Sequence, residues 1–297
     1  MSTASTSATG APVDAVARAA QSDAAKAAKR AVQRRKASVW AGRIGFAVLF
    51  LGGWELAART NTIDPFFYGQ PSGIWKSLQN LFTNGTEFGS IYANIWVTMQ
   101  EALIGFAIGA VAGVIVGVAL GQSRYLADVL GPYIKIVNAI PRIVLGSIFI
   151  VAFGLGTLPK ILLAAVLVFF VVFFNAFQGV REVDRNILAN AKVLGASRLQ
   201  VTRHVIVPSA LTWIIASLHS AFGFAIVGAL VGEVLGSQQG LGLIIKQAQN
   251  QFDPNTVFAA MFLIAALVLM AEWVIGKFEH WLLSWRPAAP SEASNAI

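Results

Sequence analysis

Six long apolar segments run through this chain of 297 residues, and they restrict its fold more than any other feature. They cover approximately residues 39–58, 102–121, 143–155, 161–179, 210–232 and 257–283. Each can approach or cross the roughly 30 Å hydrocarbon layer of a bilayer once tilt and flanking residues are counted. Because a helix satisfies its own backbone hydrogen bonds in that layer, the sequence predicts an all-α integral membrane protein with six transmembrane helices.

The composition narrows the function further. Charged residues make up 12% of the chain, about half the share that is usual in a soluble domain. Cysteine is absent, which excludes disulfides, thiolate metal sites and cysteine nucleophiles. The histidines His204, His219 and His280 lie far apart in the sequence, so no histidine metal cluster is expected. The net charge of +8 lies largely between the apolar segments, where membrane topology explains it better than nucleic-acid binding does.

The distribution of Lys and Arg predicts the orientation in the membrane. If the N-terminus is cytoplasmic, the inner segments carry roughly four times as many Lys and Arg residues as the outer ones. We therefore expect a multi-pass protein of a bacterial inner membrane with both termini in the cytoplasm. Residues 1–36 are rich in Ala, Ser and Thr and then become basic, which predicts a disordered tail rather than a signal peptide. Residues 287–297 are expected to form a short C-terminal tail.

The second apolar segment carries a glycine at every fourth position. The members of this stripe are Gly105, Gly109, Gly113, Gly117 and Gly121. Such spacing leaves bare backbone along one face of a helix, so another helix can approach closely. The stripe predicts tight packing in a compact bundle rather than a binding site.

The segment between the fourth and fifth spans, residues 181–208, is more elaborate than a simple connection requires. A short first helix is predicted there, and its apolar face is formed by Ile187, Leu188, Ala191 and Leu194. Gly195 is expected to end this helix. On the cytoplasmic side of the membrane, such a folded segment indicates a docking surface for another protein.

A second short helix is predicted to follow Gly195. Ser197 and Gln200 have the spacing of a capping box, which marks the start of a helix. Pro208 is expected to end this helix before the fifth span begins. The whole segment therefore reads as a helix–turn–helix.

At this loop the chain resembles the permeases of binding-protein-dependent ABC importers. The consensus loop of that family has Glu-Ala-Ala, three residues, Gly, nine residues and then Ile-x-Leu-Pro. The chain matches this spacing with Ala189-Asn190-Ala191, Gly195 and Val205-Ile206-Val207-Pro208, and Gly195-Ala196-Ser197 is also typical. Ala189 and Asn190 depart from the consensus Glu and Ala.

Other segments resemble the nitrate, taurine and aliphatic sulfonate branch of this family. They are residues 139–143, 153–156, 233–242, 247–250 and 285–286. The resemblance covers roughly residues 40–286, within a predicted permease domain of residues 37–286. It implies the type I importer fold and a non-catalytic subunit that moves a small solute by alternating access. The solute would be nitrate, taurine, a sulfonate or a related organic acid; aromatic acids and uncharged heterocycles are the alternatives.

The resemblance also implies partners. These are a dimer of ABC ATPase subunits, which bind ATP and Mg, an extracytoplasmic substrate-binding protein, and a second permease that is either identical or different. The chain itself is expected to bind no cofactor, and it has no Gly-x-x-x-x-Gly-Lys-Ser/Thr loop. The residues implied to form the ATPase-coupling loop are Ala189, Asn190, Ala191, Gly195, Ala196, Ser197, Arg198 and Pro208.

Four polar residues are candidates for the translocation pathway. His219 lies about ten residues into the fifth span beside Ser220, where a polar group costs free energy unless it faces protein or water. It is either a pathway residue or a neutral histidine bonded to a neighbouring helix. Glu233 ends the same span on its outer side, and Glu101 is expected to begin the second span there. Each of these two glutamates is either part of the pathway or simply solvated.

Two other classes of membrane protein fit less well. A membrane-embedded enzyme needs paired carboxylates, a metal set or an activated nucleophile at matched depth, and Glu55 and Glu272 lie near the ends of the first and last spans. A channel or an ion-driven transporter more often has acidic residues inside the membrane and an internal repeat. Neither class needs a folded docking loop.

Overall fold

The computed structural model describes residues 11–282, and all the regular secondary structure in this range, apart from one isolated bridge between Thr86 and Gly89, is helical. The helices are α1 (Ala11–Arg59), α2 (Pro65–Tyr68), α3 (Pro71–Thr83), α4 (Ile91–Gln122), α5 (Arg124–Ala139), α6 (Arg142–Phe153), α7 (Leu158–Arg181), α8 (Arg185–Val193), α9 (Arg198–Val201), α10 (Val207–Leu235), α11 (Leu241–Asn250) and α12 (Pro254–Leu282). The all-α fold class is confirmed.

Within the described range, five helices are long and apolar enough to cross a membrane. They lie in α1, α4, α7, α10 and α12. The pair α5 and α6 passes the same test together but is bent by 82° between Ala139 and Arg142. The third predicted span is therefore a broken helix, and it supplies the sixth crossing if both halves count as one.

Contacts divide the chain into two units at Pro65, and the first unit consists of α1 and the turn after it. The helix α1 already includes residues 11–36, which differs from the disordered tail that the composition predicts. Alanine is the strongest helix former, and this segment is rich in it. Near the end of α1, Arg59 Nε donates a 2.7 Å hydrogen bond to Glu55 Oε1 one turn earlier. Residues 1–10 and the predicted tail 287–297 lie outside the described residues.

The second unit is organised around α4, α7 and α10. The glycine stripe of α4 faces α7, as the space around each glycine shows. A Cβ atom at Gly113 would lie 2.9 Å from Phe169 O, and one at Gly117 would lie 2.7 Å from Phe173 O. The predicted close packing is thus confirmed, and it occurs within one chain. Gly228 of α10 approaches α7 in the same way, since a Cβ there would lie 2.5 Å from Ala164 Cα.

The helix α4 begins eleven residues before the predicted second span, so Glu101 lies inside it instead of at its start. The expected boundary at Glu101 was wrong. The polar residues Asn94, Thr98 and Glu101 interrupt the apolar run, but their spacing places them on one helix face, where all three are buried. Burial against other polar groups, rather than exposure to water, explains why the helix continues through them.

Candidate functional site

The loop between α7 and α10 forms one end of the second unit. Asp184 precedes α8, and its Oδ1 accepts a 2.8 Å hydrogen bond from Asn186 N. Gly195 has a φ of +80°, a conformation that favours glycine, and it ends the turn after α8 as the sequence predicts. In the same turn Ala196 N donates a 3.0 Å bond to Ala191 O. Local sequence therefore specifies a short helix and a sharp reversal.

The second part of the loop begins with the predicted capping box. Ser197 Oγ accepts a 3.3 Å hydrogen bond from Gln200 N, and Gln200 Oε1 accepts a 2.8 Å bond from Ser197 N. Thr202 Oγ1 donates a 2.7 Å bond to Gln122 Oε1 at the end of α4. The loop is thereby attached to the membrane helices at a defined position.

Pro208 does not end the helix, which is a correction to the sequence prediction. Helical structure continues from Arg198 to Leu235 through a π-helical turn at Thr202–Ile206, and Pro208 lies in the first turn of α10. At this turn Val207 N bonds to Thr202 O, five residues earlier, instead of to the carbonyl four residues earlier. The wider turn is a common way for a helix to accommodate an irregular position near a functional site.

The apolar side chains of the loop divide into two sets. Leu188, Ala191 and Ala196 pack against a buried cluster at this end of the bundle, formed by Val118, Ala176, Val180, Val201, Ile206, Ala210 and Ile214. By contrast Val193 is 86% exposed, Leu194 85% and Leu199 77%. We call these three residues the exposed loop surface. The sequence placed Ile187, Leu188, Ala191 and Leu194 on one apolar face of the first loop helix. In the structure only Leu188 and Ala191 of this face point inward, whereas Ile187 and Leu194 are exposed.

The remaining loop residues that the resemblance singles out lie around this exposed surface. Ala189, Asn190, Ser197 and Arg198 are exposed. A Cβ atom added at Gly195 would meet no atom within 4 Å. The loop therefore presents its turn and the three side chains of the exposed loop surface outward. Exposed apolar side chains are unfavourable in water unless another surface covers them.

At the opposite end of the bundle, the buried carboxylate of Glu233 joins α10 to α4 and to the first turn of α11. Its Oε1 accepts a 2.7 Å hydrogen bond from Thr98 Oγ1, and its Oε2 accepts a 2.6 Å bond from Gly242 N. Thr98 Oγ1 in turn accepts from Leu241 N at 2.9 Å, and Asn94 Oδ1 accepts from Gly240 N at 2.7 Å. Three consecutive backbone N–H groups are thus held by side chains.

Two further charged groups are buried beside Glu233. Lys160 of α7 is fully buried, and its Nζ donates 2.6 Å hydrogen bonds to Leu155 O and to Gly156 O in the turn after α6. The Glu101 side chain is 1% exposed and interacts electrostatically with both Glu233 and Lys160. No donor from the described residues reaches either carboxylate oxygen of Glu101. The predicted candidates Glu101 and Glu233 are therefore brought together, and Lys160 joins them.

A pocket of about 410 Å³ opens onto this cluster. Its lining residues are Val97, Glu101, Leu155, Gly156, Thr157, Lys160, Ser237, Gln238 and Gln239. The sequence did not single out Thr98, Asn94 or Lys160. A signal was present, since Asn94, Thr98 and Glu101 recur at helical spacing within an otherwise apolar helix.

The other two candidates lie elsewhere on α10. His219 is about 14 residues before Glu233, which corresponds to about 21 Å along a helix. A Cβ atom at Gly276 would lie 3.7 Å from His219 Nε2, so the ring lies beside α12. Ser220 is exposed, on the same stripe as Phe224 and Val227. The structure therefore does not bring His219 and Ser220 to the cluster around Glu233.

Metal binding has no evident site in the part of the chain that the structure describes. Within it, no group of three or more His, Asp or Glu side chains has the arrangement that could hold a metal ion. The described residues offer hydrogen bonding and charge at one end of the bundle and an exposed apolar surface at the other.

Comparison with known proteins identifies the family of the chain. The model of the family described as "Binding-protein-dependent transport system inner membrane component" matches residues 109–283. An aliphatic sulfonates transport permease protein, SsuC, of Bacillus subtilis is 29% identical over 85% of this chain and 90% of its own length. The riboflavin transport system permease protein RibX of Chloroflexus aurantiacus is 28% identical over 80% of this chain and 87% of its own.

A third relative, the formylaminopyrimidine transport permease protein ThiX of Halalkalibacterium halodurans, is 28% identical over 81% of this chain and 94% of its own. Among solved structures, a chain of the MetNI methionine ABC transporter in an inward-facing conformation superposes with a TM-score of 0.58. That likeness covers 63% of this chain and 94% of the other at 20% identity. At this identity it concerns the fold alone.

Proposed function

The chain belongs to the family of inner membrane components of binding-protein-dependent transport systems, and on this premise we propose that it carries a small anionic solute into the cell. It is a multi-pass, non-catalytic permease subunit of an ATP-driven importer.

The exposed loop surface is the single observation that carries the proposed coupling mechanism. Val193, Leu194 and Leu199 project from a loop whose own core side is already packed, so these side chains are available to a partner. We assign them, with the exposed turn at Gly195, to contact with the ATPase subunit that binds ATP and Mg. The bond from Thr202 to Gln122 and the packing of Leu188 and Ala191 fix the loop to the membrane helices. A movement of the ATPase would therefore be transmitted to these helices.

The solute is proposed from the relatives. The names of three relatives refer to aliphatic sulfonates, riboflavin and formylaminopyrimidine. Permeases of this family are thus named for both anionic and heterocyclic solutes. Sulfonate permeases of two species are among them, at 29% and 28% identity. We therefore favour a sulfonate, taurine, nitrate or a related organic acid, delivered by an extracytoplasmic binding protein. An uncharged heterocycle is the second candidate.

The assembly that follows contains two permeases, most simply two copies of this chain, two ATPase subunits and the binding protein. The stripe of Ser220, Phe224 and Val227 on α10 is exposed in the single chain, as expected of helices that complete a pathway only with a second permease. Both termini and the loop of residues 181–208 would lie in the cytoplasm, and the permease domain would extend over residues 37–286.

In this orientation the cluster around Glu233 lies on the outer side. There it would hold the turn between α10 and α11 as a fixed surface beside the mouth of the pathway. We keep Glu101 and Glu233 as candidate pathway residues, since the 410 Å³ pocket reaches Glu101. His219 and Ser220 are separate candidates deeper in the membrane.

The test is uptake by cells that produce the permease together with the ATPase and binding protein encoded beside it. Nitrate, taurine, ethanesulfonate and riboflavin would be supplied as radiolabelled solutes. Uptake of at least one of the three acids that depends on the ATPase supports the proposal. Uptake of riboflavin alone would show that the solute is a heterocycle and not an anion. Failure of the permease to co-purify with the ATPase would contradict the proposed coupling.

A further inference from the structure

The break between α5 and α6 places the permanent positive charge of Arg142, a half-buried side chain, between the two halves of a broken span. Ile140 and Pro141 have extended backbone conformations, and the two helices meet there at 82°. Arg142 is the first residue of α6. Proline cannot donate a backbone hydrogen bond, which favours a helix boundary at this point.

The depth of Arg142 follows from its contact with α7. The guanidinium carbon of Arg142 lies 5.1 Å from the centre of the Phe170 ring. Phe170 is about 12 residues from the start of α7 and about 11 from its end, so it lies about 18 Å along a helix that crosses the membrane. Arg142 is therefore near the middle of the bilayer, where a charged side chain has a large free-energy cost unless it faces protein or water.

The chain only partly compensates this charge. One terminal nitrogen of Arg142 donates to Asn138 Oδ1, one turn earlier, and the Phe170 ring lies under the guanidinium. The Nε atom is buried and has no hydrogen-bond partner. In the described part of the chain, no carboxylate pairs with this guanidinium. A neutral amide and a ring leave the positive charge without a counter-ion.

The guanidinium group has the geometry to bind an oxyanion. Its planar donors can hold a carboxylate, sulfonate or nitrate through two parallel hydrogen bonds. Asn138 and Phe170 hold it at the break, where irregular backbone inside a membrane protein commonly lines a pathway. Neighbouring side chains such as Ile140 and Val144 are exposed in the single chain, so the break is not covered by the rest of the fold.

We propose that the Arg142 guanidinium binds the anionic group of the transported solute half-way along its passage. This inference rests on the proposed function, from which it takes the passage of an anionic solute. Arg142 then acts as a specificity-determining residue within the membrane, after the binding protein has released the solute.

The natural absence of cysteine allows a sharp test, because a single introduced thiol can be modified alone. In Arg142→Cys, the uptake of whichever of nitrate, taurine or ethanesulfonate the wild type transports should fall about tenfold, or about 1.4 kcal/mol. Treatment with the cationic trimethylammonium-ethyl methanethiosulfonate returns the positive charge but no N–H donor, so it should raise the uptake of this variant only in part, by about threefold. The anionic sulfonatoethyl reagent should not restore it.

Lys135→Cys is the matched control, since Lys135 is an exposed cation on α5 about two turns earlier. Neither its substitution nor its modification should change uptake by more than about twofold. Uptake by the wild-type transporter, treated with each reagent in turn, measures any effect of the reagents on the partner subunits. Arg142→Lys, which keeps the charge, should assemble and retain more uptake than Arg142→Gln at equal membrane levels.

Three results with the Arg142 variants would overturn the inference. Full uptake by Arg142→Cys, or equal rescue by both reagents, would mean that the positive charge is not needed. Equal loss in Arg142→Lys and Arg142→Gln would assign the residue to the structure of the break. If the wild type transports an acid and the variants behave in any of these ways, the inference alone fails. If the wild type transports only riboflavin, the proposed substrate class fails together with it.

Discussion

The hydroxyl of Thr98 donates a 2.7 Å hydrogen bond to the carboxylate of Glu233, which joins two residues 135 positions apart in the sequence. The same hydroxyl oxygen accepts the N–H of Leu241. One side chain of α4 thus connects the end of α10 with the start of α11. Both residues are buried, so an unmade bond here cannot be replaced by one to water.

Removal of this hydroxyl should weaken the turn between α10 and α11. We expect Thr98→Val to destabilise the permease by about 1–3 kcal/mol, because it leaves a buried carboxylate oxygen and a buried N–H without their partner. Thermal unfolding of the purified complex in detergent measures the effect. Thr98→Ser keeps the hydroxyl and serves as the control, with a smaller loss. An equal fall in Tm for both variants would assign the effect to packing rather than to the hydrogen bonds.

The glycine stripe predicts a steep dependence of folding on residue size. A Cβ atom at Gly113 would lie 2.9 Å from Phe169 O and 3.0 Å from Phe173 N, both of which are backbone atoms. Gly113→Val should therefore force α4 and α7 apart, at a cost of about 1–3 kcal/mol or more, and lower the amount of folded protein in the membrane. The measurement is the fraction that remains monodisperse after extraction in detergent.

Gly45→Val on α1 is the control for this prediction. No atom lies within 4 Å of a Cβ atom added there, so the same change should be tolerated. The close packing of α4 on α7 would be refuted by a Gly113→Val permease that is as abundant and as stable as this control.

The exposed loop surface predicts which loop substitutions disrupt coupling without disrupting folding. Leu194→Asp puts a charge on an exposed side chain, so the permease should insert into the membrane and keep the Tm of the wild type. Solute uptake and binding-protein-stimulated ATP hydrolysis should fall together, because burying an unpaired charge in the ATPase contact is costly. Both activities would be measured in proteoliposomes that contain the complete transporter.

Ala191 and Ala189 provide the contrast. Ala191 packs against the core of its own chain, so Ala191→Arg should lower the stability of the loop as well as transport. Ala189 is exposed, and Ala189→Glu, which restores the usual residue of the family, should be tolerated. Normal transport by Leu194→Asp would remove the exposed loop surface from the coupling mechanism.

The charge distribution predicts the topology, and the cysteine-free sequence again makes the test direct. A cysteine introduced at Trp75, which is 59% exposed on α3, should react with a membrane-impermeant maleimide added to intact cells. A cysteine in place of Ser2 should react only after the cells are opened. The reverse pattern would invert the orientation and would place the loop of residues 181–208 outside the cell, away from any ATPase.

Several features could be predicted from the sequence because they depend on neighbouring residues. Membrane-spanning helices follow from the length of apolar segments, and the reversal at Gly195 and the capping box at Ser197 follow from local backbone preferences. The spacing of the loop was sufficient to indicate the family. The glycine stripe predicted close packing, because a helix fixes which residues share a face.

Only the tertiary structure shows which polar residues lie together. Glu101, Glu233 and Lys160 come from three different helices, and their burial together depends on how α4, α7 and α10 pack. The sequence likewise placed Pro208 at a helix end, whereas a π-helical turn lets the helix continue. The sequence also gave no reason to prefer Arg142 as a pathway residue. Its depth in the membrane follows from the 82° bend and from its contact with Phe170. Hydropathy and helix propensity indicate the free-energy cost of placing a polar residue in an apolar helix. The hydrogen-bond and charge partners that offset this cost come from segments distant along the chain, so only the folded structure shows them.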